Sequence, residues 1–254
     1  MMEALPKKRT LGVDLSTGPF AEHILRFAAF GAAHRSSYVC CVNSHMCVEA
    51  HQDPAFAAVV NNADFATADG MPMLNKLNRT HGLKQERVAG NDIMPALMAE
   101  AERQGLGVYL YGGKREVLDS IVARAAKDLP RLRIAGSEAP PFRVLTATEI
   151  EEAVERINSS GAHILLVSLG CPKQEKWMAS MKGRINAIML GMGGAFLLYA
   201  GVDTRAPKWM RDLSLEWAYR FALEPRRLWK RYLVTNTAFL WLSATEGFRK
   251  REAI

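Results

Sequence analysis

The sequence predicts an α/β fold in which a mostly parallel sheet is covered by helices. Short apolar runs typical of strands alternate with segments of helical periodicity through about the first 200 residues. Some of these runs are apolar throughout, as in parallel strands that are buried on both faces. The composition agrees, because 49% of the 254 residues are hydrophobic and 23% are charged, which excludes a largely disordered chain.

The predicted elements follow one another in order along the chain. In the first half, strands are expected at residues 38–43 and Phe65–Ala68, and helices at residues 20–34 and 45–62, from about Met71, and from Asn91 to Gln104 with Asn91 or Asp92 as N-cap. In the second half, strands are expected at residues 107–113, 131–137 and 163–170, and a strand followed by a glycine turn at residues 185–194. Helices are expected at residues 114–129, from Thr146 or Thr148 to Ser159, and from Pro172 to about Met181.

The positive charge is concentrated in the last fifth of the chain. The net charge is +7, and residues 204–254 carry 11 Lys+Arg against 5 Asp+Glu, together with four of the five tryptophans. We therefore expect an α/β domain over residues 1–203 and a basic, Trp-rich helical appendage over residues 204–254.

The appendage reads as two helices separated at Glu224-Pro225, since a residue before proline resists the α conformation. The second helix opens with Arg226, Arg227 and Arg231 and continues into an apolar stretch that is too short to span a bilayer. Basic residues beside tryptophan are typical of a helix that lies on an anionic membrane. A helix packed on the body with its arginines in water is the alternative, and no nucleic-acid recognition motif is present.

Several classes of protein are excluded. The N-terminal segment lacks the apolar core of a secretory signal, and no apolar stretch reaches the length of a membrane span. The four cysteines form neither a CxxC pair nor a zinc-like spacing, so we expect reduced thiols and a cytosolic location. A nicotinamide-binding fold and a P-loop ATPase are not supported, because GxGxxG and GxxxxGK[ST] are both absent.

Glycine-rich segments follow the strands and should meet at the carboxyl edge of the sheet, where such folds bind ligands. The segments begin at Asn43, Asp69-Gly70, Gly112-Gly113, Gly170 and Gly191. Several are followed by a helix, whose first N–H groups suit a phosphate, so a phosphorylated ligand is favoured.

Individual candidates each have a functional and a structural interpretation. Asp69 suits a general base at the strand mouth, and equally a turn aspartate that caps the next helix. Lys173 and Gln174 suit phosphate or base binding, or an ordinary helix start. Arg87 with Asp92 forms either a binding pair or a structural salt bridge, and His45 after the strand is either a substrate contact or hydrogen-bonded structure.

The motifs resemble the WecG/TagA/CpsF family, glycosyltransferase family 26, from about residue 9 to residue 233. The segments that carry the resemblance are NNADFATADGMPML, RVAGND, GCPKQEKWM, GMGGAFLLYAG and RAPKWMRDLSLEWAYRFALEPRRLWKRYL. The resemblance implies a Rossmann-like domain with a C-terminal helical appendage. It also implies inverting, metal-independent transfer, without a cofactor, from a UDP-sugar to a polyprenyl-diphosphate-linked sugar at the inner membrane face.

Carried over residue by residue, the family's catalytic aspartate falls on Asp69, and its binding residues fall on Asn43, Arg87 and Gln174. Appendage arginines that hold the lipid diphosphate match the set Arg220, Arg226, Arg227 and Arg231. We further expect the substrate site to include His45, Asp92, Gly112, Gly113 and Lys173.

Two departures bear on the donor. Cys41 and His45 stand where teichoic-acid members carry a threonine and, commonly, an acid, so the exopolysaccharide branch fits better. The resulting prediction is an inverting hexosyl or N-acetylhexosaminyl transferase of surface-polysaccharide synthesis. The alternative is a non-catalytic UDP-sugar-binding subunit of a membrane assembly complex. The sequence does not specify the oligomeric state, and a homo-oligomer is compatible with it.

Overall fold

The computed structural model describes residues 3–207, 209–210, 218–219, 221 and 235–245. Its strands are Lys7–Thr10 (β1), Val13–Ser16 (β2), Ser37–Val42 (β3), Phe65–Ala68 (β4), Gly107–Gly112 (β5), Arg133–Glu138 (β6), Ile164–Ser168 (β7) and Ile188–Gly191 (β8). Its helices are Phe20–Ala32 (α1), Ser44–Gln52 (α2), Pro54–Asn61 (α3), Met71–His81 (α4), Gly90–Gln104 (α5), Arg115–Asp128 (α6), Ala147–Ser159 (α7), Lys173–Met181 (α8) and Ala195–Tyr199 (α9).

Six of the strands form one parallel sheet in the order β4-β3-β8-β7-β5-β6. Every residue of β3, β4, β5 and β8 is buried, because helices cover the sheet on both faces. The predicted α/β class with a parallel sheet is therefore confirmed. Because the strands are parallel, all their carboxyl ends lie at one edge, as predicted.

Two apolar clusters sit on opposite faces of the sheet. One joins α1, α5, α6 and α9 to the sheet, with Phe27, Leu97 and Phe196 among its buried side chains. The other joins α2, α3, α4, α7, α8 and the β1–β2 hairpin to the sheet, with Phe56 and Met178 among its members. The result is a three-layer helix–sheet–helix domain that holds the strand ends in fixed positions.

The predicted helix over residues 45–62 is in fact two helices. Asp53 interrupts it in an extended conformation, and its Oδ1 accepts hydrogen bonds from Ala55 N (3.0 Å) and Phe56 N (3.1 Å). Proline at the first position of α3 is compatible with this N-cap, because proline has no N–H to leave unsatisfied.

Two further local features of the structure differ from the prediction. Helix α5 begins after Ala89 without a side-chain cap, so the prediction of Asn91 or Asp92 as N-cap was wrong. The antiparallel β1–β2 hairpin has no counterpart in the sequence prediction. Its turn consists of Leu11 (φ 50°) and Gly12 (φ 79°), and leucine is not a residue that signals a left-handed turn. By contrast, Thr146 caps α7 as expected, in a capping box with Glu149.

The C-terminal segment 235–245 is helical and packs on the body. Phe239 and Leu242 are buried in the cluster of α2, α3 and α4, and Lys76 Nζ donates to the Ser243 carbonyl at 2.8 Å. Leu240 and Trp241 remain largely exposed. Within the described ranges, no helix combines the length and the hydrophobicity that crossing a membrane requires.

Candidate active site

The last residues of β5 and β7 and the loop after β8 are in close contact at the carboxyl edge. Gly112 has a φ of 103°, and a Cβ atom there would lie 2.4 Å from the Ser168 carbonyl oxygen. The Ser168 hydroxyl donates to the Gly193 carbonyl at 3.0 Å, and thereby ties the β7 loop to the β8 loop. Gly113, also at positive φ, lies next to this contact. The glycines at this edge thus let three loops approach more closely than side chains would allow.

The loop after β3 meets the loop after β4. Asn43 is the N-cap of α2, where its Oδ1 accepts a hydrogen bond from Met46 N at 3.1 Å. A Cβ atom on Gly70 would lie 3.5 Å from the Asn43 Cβ, so the asparagine borders the Asp69-Gly70 turn. His45, in the first turn of α2, has its Nδ1 3.8 Å from Glu49 Oε1 and is mostly buried.

Asp69 lies in the half-buried turn directly after β4. Its backbone N–H donates to the Val42 carbonyl at 3.0 Å, and its Oδ1 accepts from Gly90 N at 2.9 Å. Gly90 is the first residue of α5, whereas the N-cap of α4 is Gly70, with no side-chain cap hydrogen bond. Asp69 therefore does not cap the helix that follows it, and its carboxylate sits instead at the positive N-terminal end of α5.

Asp92, in the first turn of α5, holds two arginines. Arg87 Nη2 donates to Asp92 Oδ2 at 3.1 Å, and Arg205 Nη2 donates to Asp92 Oδ1 at 2.5 Å. The exposed fractions of the three side chains are 18% for Arg87, 30% for Asp92 and 28% for Arg205, so the cluster is partly shielded from water. The salt bridge that the sequence offered as one interpretation of Arg87 and Asp92 is therefore present.

The buried side chain of Gln174 stabilises the Gly170–Glu175 turn by hydrogen bonds. The side chain of Gln174 is buried, its Oε1 accepts from Gly170 N at 3.2 Å, and its Nε2 donates to Glu175 Oε1 at 2.7 Å. A Cβ atom on Gly191 would lie 2.9 Å from Gln174 Nε2, so glycine is needed on β8 for this packing. Gln174 thus lies beneath the loop, whereas Lys173, the first residue of α8, is exposed at the same edge.

Glu175 was not among the predicted site residues. It is fully buried, and loss of hydration raises the pKa of its carboxyl to about 7, against the weaker effects of Gln174 and Cys171. In the sequence it resembles an ordinary acidic residue in the first turn of a helix, and only its burial beneath the sheet edge distinguishes it. Arg205 was missed as well, because it is distant in sequence from Asp92.

Cys41 lies on β3 beneath Asp69. Burial raises the pKa of its thiol strongly, and the charge of Asp69 adds to this effect. A Cβ atom on Gly90 would lie 3.7 Å from Cys41 Sγ. Cys40 and Cys41 are buried and form no disulfide, as predicted, and Cys47 is buried outside any disulfide as well.

The structure therefore brings together Asn43, His45, Asp69, Arg87 and Asp92 around the loops after β3 and β4 and the start of α5. It brings Gly112, Gly113, Lys173 and Gln174 together around the loops after β5 and β7. The appendage arginines Arg220, Arg226, Arg227 and Arg231 lie outside the described residues. Within the described part of the chain, no group of three or more His, Cys, Asp or Glu side chains is arranged to hold a metal ion.

A comparison with known protein families identifies the family of the chain. The model of the glycosyl transferase WecG/TagA/CpsF family matches residues 8–253, which is nearly the whole chain. Members transfer a sugar, so a sugar donor and an acceptor are the substrates of this class. The match covers nearly the whole chain, and the parallel sheet with its loops at the carboxyl edge is consistent with it. This chain therefore belongs to the WecG/TagA/CpsF family of glycosyltransferases.

Proposed function

We propose that this glycosyltransferase moves a hexose or an N-acetylhexosamine-type sugar from a UDP-sugar to a polyprenyl-diphosphate-linked sugar, with inversion at the anomeric carbon. The reaction serves the synthesis of a bacterial exopolysaccharide or another cell-surface polysaccharide. The observation that carries the proposal is the position of Asp69, a half-buried carboxylate at the carboxyl edge, anchored on Gly90 N and bordered by Asn43.

Asp69 is the proposed general base. Its carboxylate takes the proton from the acceptor hydroxyl, whose oxygen attacks the anomeric carbon of the donor sugar. The bond from that carbon to the β-phosphate oxygen breaks in the same displacement, and UDP leaves with the electron pair. The hydrogen bond from Gly90 N to Oδ1 fixes the carboxylate, so it is oriented before substrate binds.

The leaving diphosphate gains charge in the transition state, and preorganised donors stabilise it best. The proposed donors are the exposed Lys173 at the start of α8, Arg87, and the backbone N–H groups of Gly112 and Gly113. Gln174 contributes through the loop that it holds, since both ends of its amide are already hydrogen-bonded within the protein. The transfer is proposed to proceed without a metal.

The appendage, residues 204–254, is proposed to contact the cytoplasmic face of the membrane as a peripheral element. Exposed Trp209, Leu240 and Trp241 support this proposal, because tryptophan and leucine partition into the interface beside basic residues. Arg220, Arg226, Arg227 and Arg231 are proposed to bind the lipid diphosphate of the acceptor.

The deciding experiment is a donor screen with the full-length protein. A panel of UDP-sugars is combined with a short-chain, water-soluble lipid-diphosphate-sugar acceptor, and UDP release and product mass are measured. Acceptor-dependent release of UDP from one donor, with a product one sugar heavier, is expected. If the protein binds a UDP-sugar but transfers nothing, it is a binding subunit and the proposed activity is wrong.

A further inference from the structure

Arg205 is the second residue of the predicted appendage, and its side chain reaches the first turn of α5. Its Nη2 donates to Asp92 Oδ1 at 2.5 Å, and the other oxygen of Asp92 accepts from Arg87 at 3.1 Å. Two guanidinium groups therefore share one carboxylate, and the cluster of Arg87, Asp92 and Arg205 carries a net charge of +1. The same first turn of α5 holds Asp69 through Gly90 N.

The Arg205 guanidinium does not use all of its hydrogen-bond donors within the described residues. Its Nε is shielded from solvent and finds no hydrogen-bond partner within the described residues. A buried cationic N–H without an acceptor is unfavourable, because it has lost its water without gaining a replacement. The Nε and Nη2 groups form one edge of the planar fork with which arginine binds phosphate oxygens in pairs.

The closeness of Arg205 to Asp69 indicates which anions can bind to this arginine. Asp92 follows Gly90 by two residues, so Arg205 is anchored within one helical turn, about 5.4 Å along the axis, of the amide that holds the base. The proposed reaction brings two diphosphates to the site. One is bonded to the anomeric carbon of the transferred sugar, and the other lies on the far side of the acceptor sugar. Both substrates therefore carry the phosphate chemistry that this arginine edge recognises.

We propose that Arg205 is a substrate-binding residue that, together with Arg87 on the shared Asp92, holds a substrate diphosphate at the N-terminal end of α5. Asp92 is the residue that orients both guanidinium groups. The inference rests on the proposed function and adds a binding residue to the same site, from the first residues of the predicted appendage.

The first test uses inorganic pyrophosphate as the probe, with binding measured by calorimetry on the full-length protein. Arg205→Gln is expected to weaken pyrophosphate binding at least fivefold. Arg205→Lys, which keeps a cation opposite Asp92 but lacks the forked edge, is expected to do the same and serves if the glutamine variant does not fold. Arg9→Gln is the matched control, because Arg9 is exposed and pairs with Asp14 at 3.1 Å on the hairpin.

A loss smaller than fivefold in the folded Arg205 variant, or no pyrophosphate binding by the wild type, overturns the inference. The second test distinguishes the two sources of the diphosphate. A raised Kd for UDP assigns Arg205 to the donor, and a raised KM for the short-chain acceptor at saturating donor assigns it to the acceptor. If pyrophosphate binding is lost but neither constant changes threefold or more, the assignment to substrate is wrong.

The two proposals fail separately. If the wild type transfers sugar from a UDP donor but the Arg205 variants behave like Arg9→Gln, only the role of Arg205 is disproved. If the wild type transfers nothing from any UDP donor, the proposed reaction fails, while the pyrophosphate measurement still decides whether Arg205 binds a diphosphate.

Discussion

Single side chains at the carboxyl edge serve both the fold and the proposed chemistry. Asp69 is the clearest case, because the carboxylate that is proposed to take a proton also accepts the first amide of α5. Asparagine at this position still offers an oxygen to Gly90 N but cannot act as a base. The structural and the chemical contributions of Asp69 can therefore be separated by one substitution.

We expect Asp69→Asn to lower kcat by about 10²–10⁴-fold, which is the usual contribution of a general base. The Kd of UDP is expected to stay within about threefold, since the base acts on the acceptor rather than on the donor. Steady-state kinetics and calorimetry check both values. A variant that retains more than about a third of the wild-type kcat would show that Asp69 is only a structural turn residue.

Glu175 makes the stability of the fold depend on pH in an unusual direction. Its pKa is about 7 in the folded protein and near 4.5 when unfolded, so the folded state binds more protons between these values. Its contribution to stability is therefore greatest below pH 4.5 and is lost as the pH rises to 7. The full difference corresponds to roughly 3 kcal/mol at about 1.36 kcal/mol per pKa unit.

We expect Glu175→Gln to raise the thermal midpoint at pH 8 and to have little effect at pH 4.5, because glutamine keeps the shape without the buried charge. Thermal unfolding followed by circular dichroism at the two pH values measures this difference. Glu116→Gln, at an exposed glutamate in the first turn of α6, is the matched control and should change neither midpoint. An equal effect of both substitutions, or a Glu175→Gln variant destabilised at pH 8, would contradict the explanation.

At the scale of elements, the carboxyl ends of β5 and β7 are packed so closely that a single methyl group matters. A Cβ atom on Gly112 would lie 2.4 Å from a backbone oxygen, which cannot move away as a flexible side chain would. Gly82 also has a positive φ (63°), but a Cβ atom there would have nothing within 4 Å. Gly82→Ala therefore gives the cost of a left-handed backbone alone, whereas Gly112→Ala adds the contact and a φ of 103°, which lies beyond the left-handed helical region.

We expect Gly112→Ala to lower the free energy of unfolding by more than Gly82→Ala does, by about 1 kcal/mol or more, and to weaken UDP binding. Gly82→Ala should lose only the conformational part of the stability and should bind UDP as the wild type does. Urea unfolding and calorimetry provide the two measurements. Equal stability losses in the two variants would contradict this explanation, because the ends of β5 and β7 would then accommodate the added methyl group at no cost.

At the scale of the whole molecule, the C-terminal segment 235–245 is part of the folded core. Phe239 and Leu242 belong to the same apolar cluster as α2, α3 and α4, so removing residues 204–254 would expose part of the core. Point substitutions on the exposed face therefore test membrane contact more cleanly than truncation does. Leu240 and Trp241 are 68% and 62% exposed and supply that face.

We expect the double substitution Leu240→Ala with Trp241→Ala to weaken binding to anionic vesicles at least fivefold without lowering the thermal midpoint. Leu25→Ala, at an exposed leucine of α1, is the control and should bind as the wild type does. Binding of the wild type should also decrease with salt, since basic residues near a charged surface are screened. Vesicle sedimentation measures these effects, and equal binding by the double variant and the wild type would contradict a membrane role for this face.

The sequence by itself determined the alternation of strands and helices, the burial of the central strands and the segments that meet at the carboxyl edge. These follow from apolar periodicity, glycine and proline, which act over a few residues, and Phe65–Ala68 was predicted with its observed bounds. The family follows from the sequence as well, through motifs that run along nearly the whole chain.

Only the tertiary structure decided which side chains meet. Asp69 contacts the start of α5 rather than α4, Gln174 lies beneath its loop, and Arg205 joins Arg87 on Asp92 across more than a hundred residues. No local pattern encodes such contacts, because they arise when separate elements pack on the same sheet edge. The pKa of Glu175 is decided in the same way, since the desolvation that raises it comes from burial in the assembled fold and not from its neighbours in sequence.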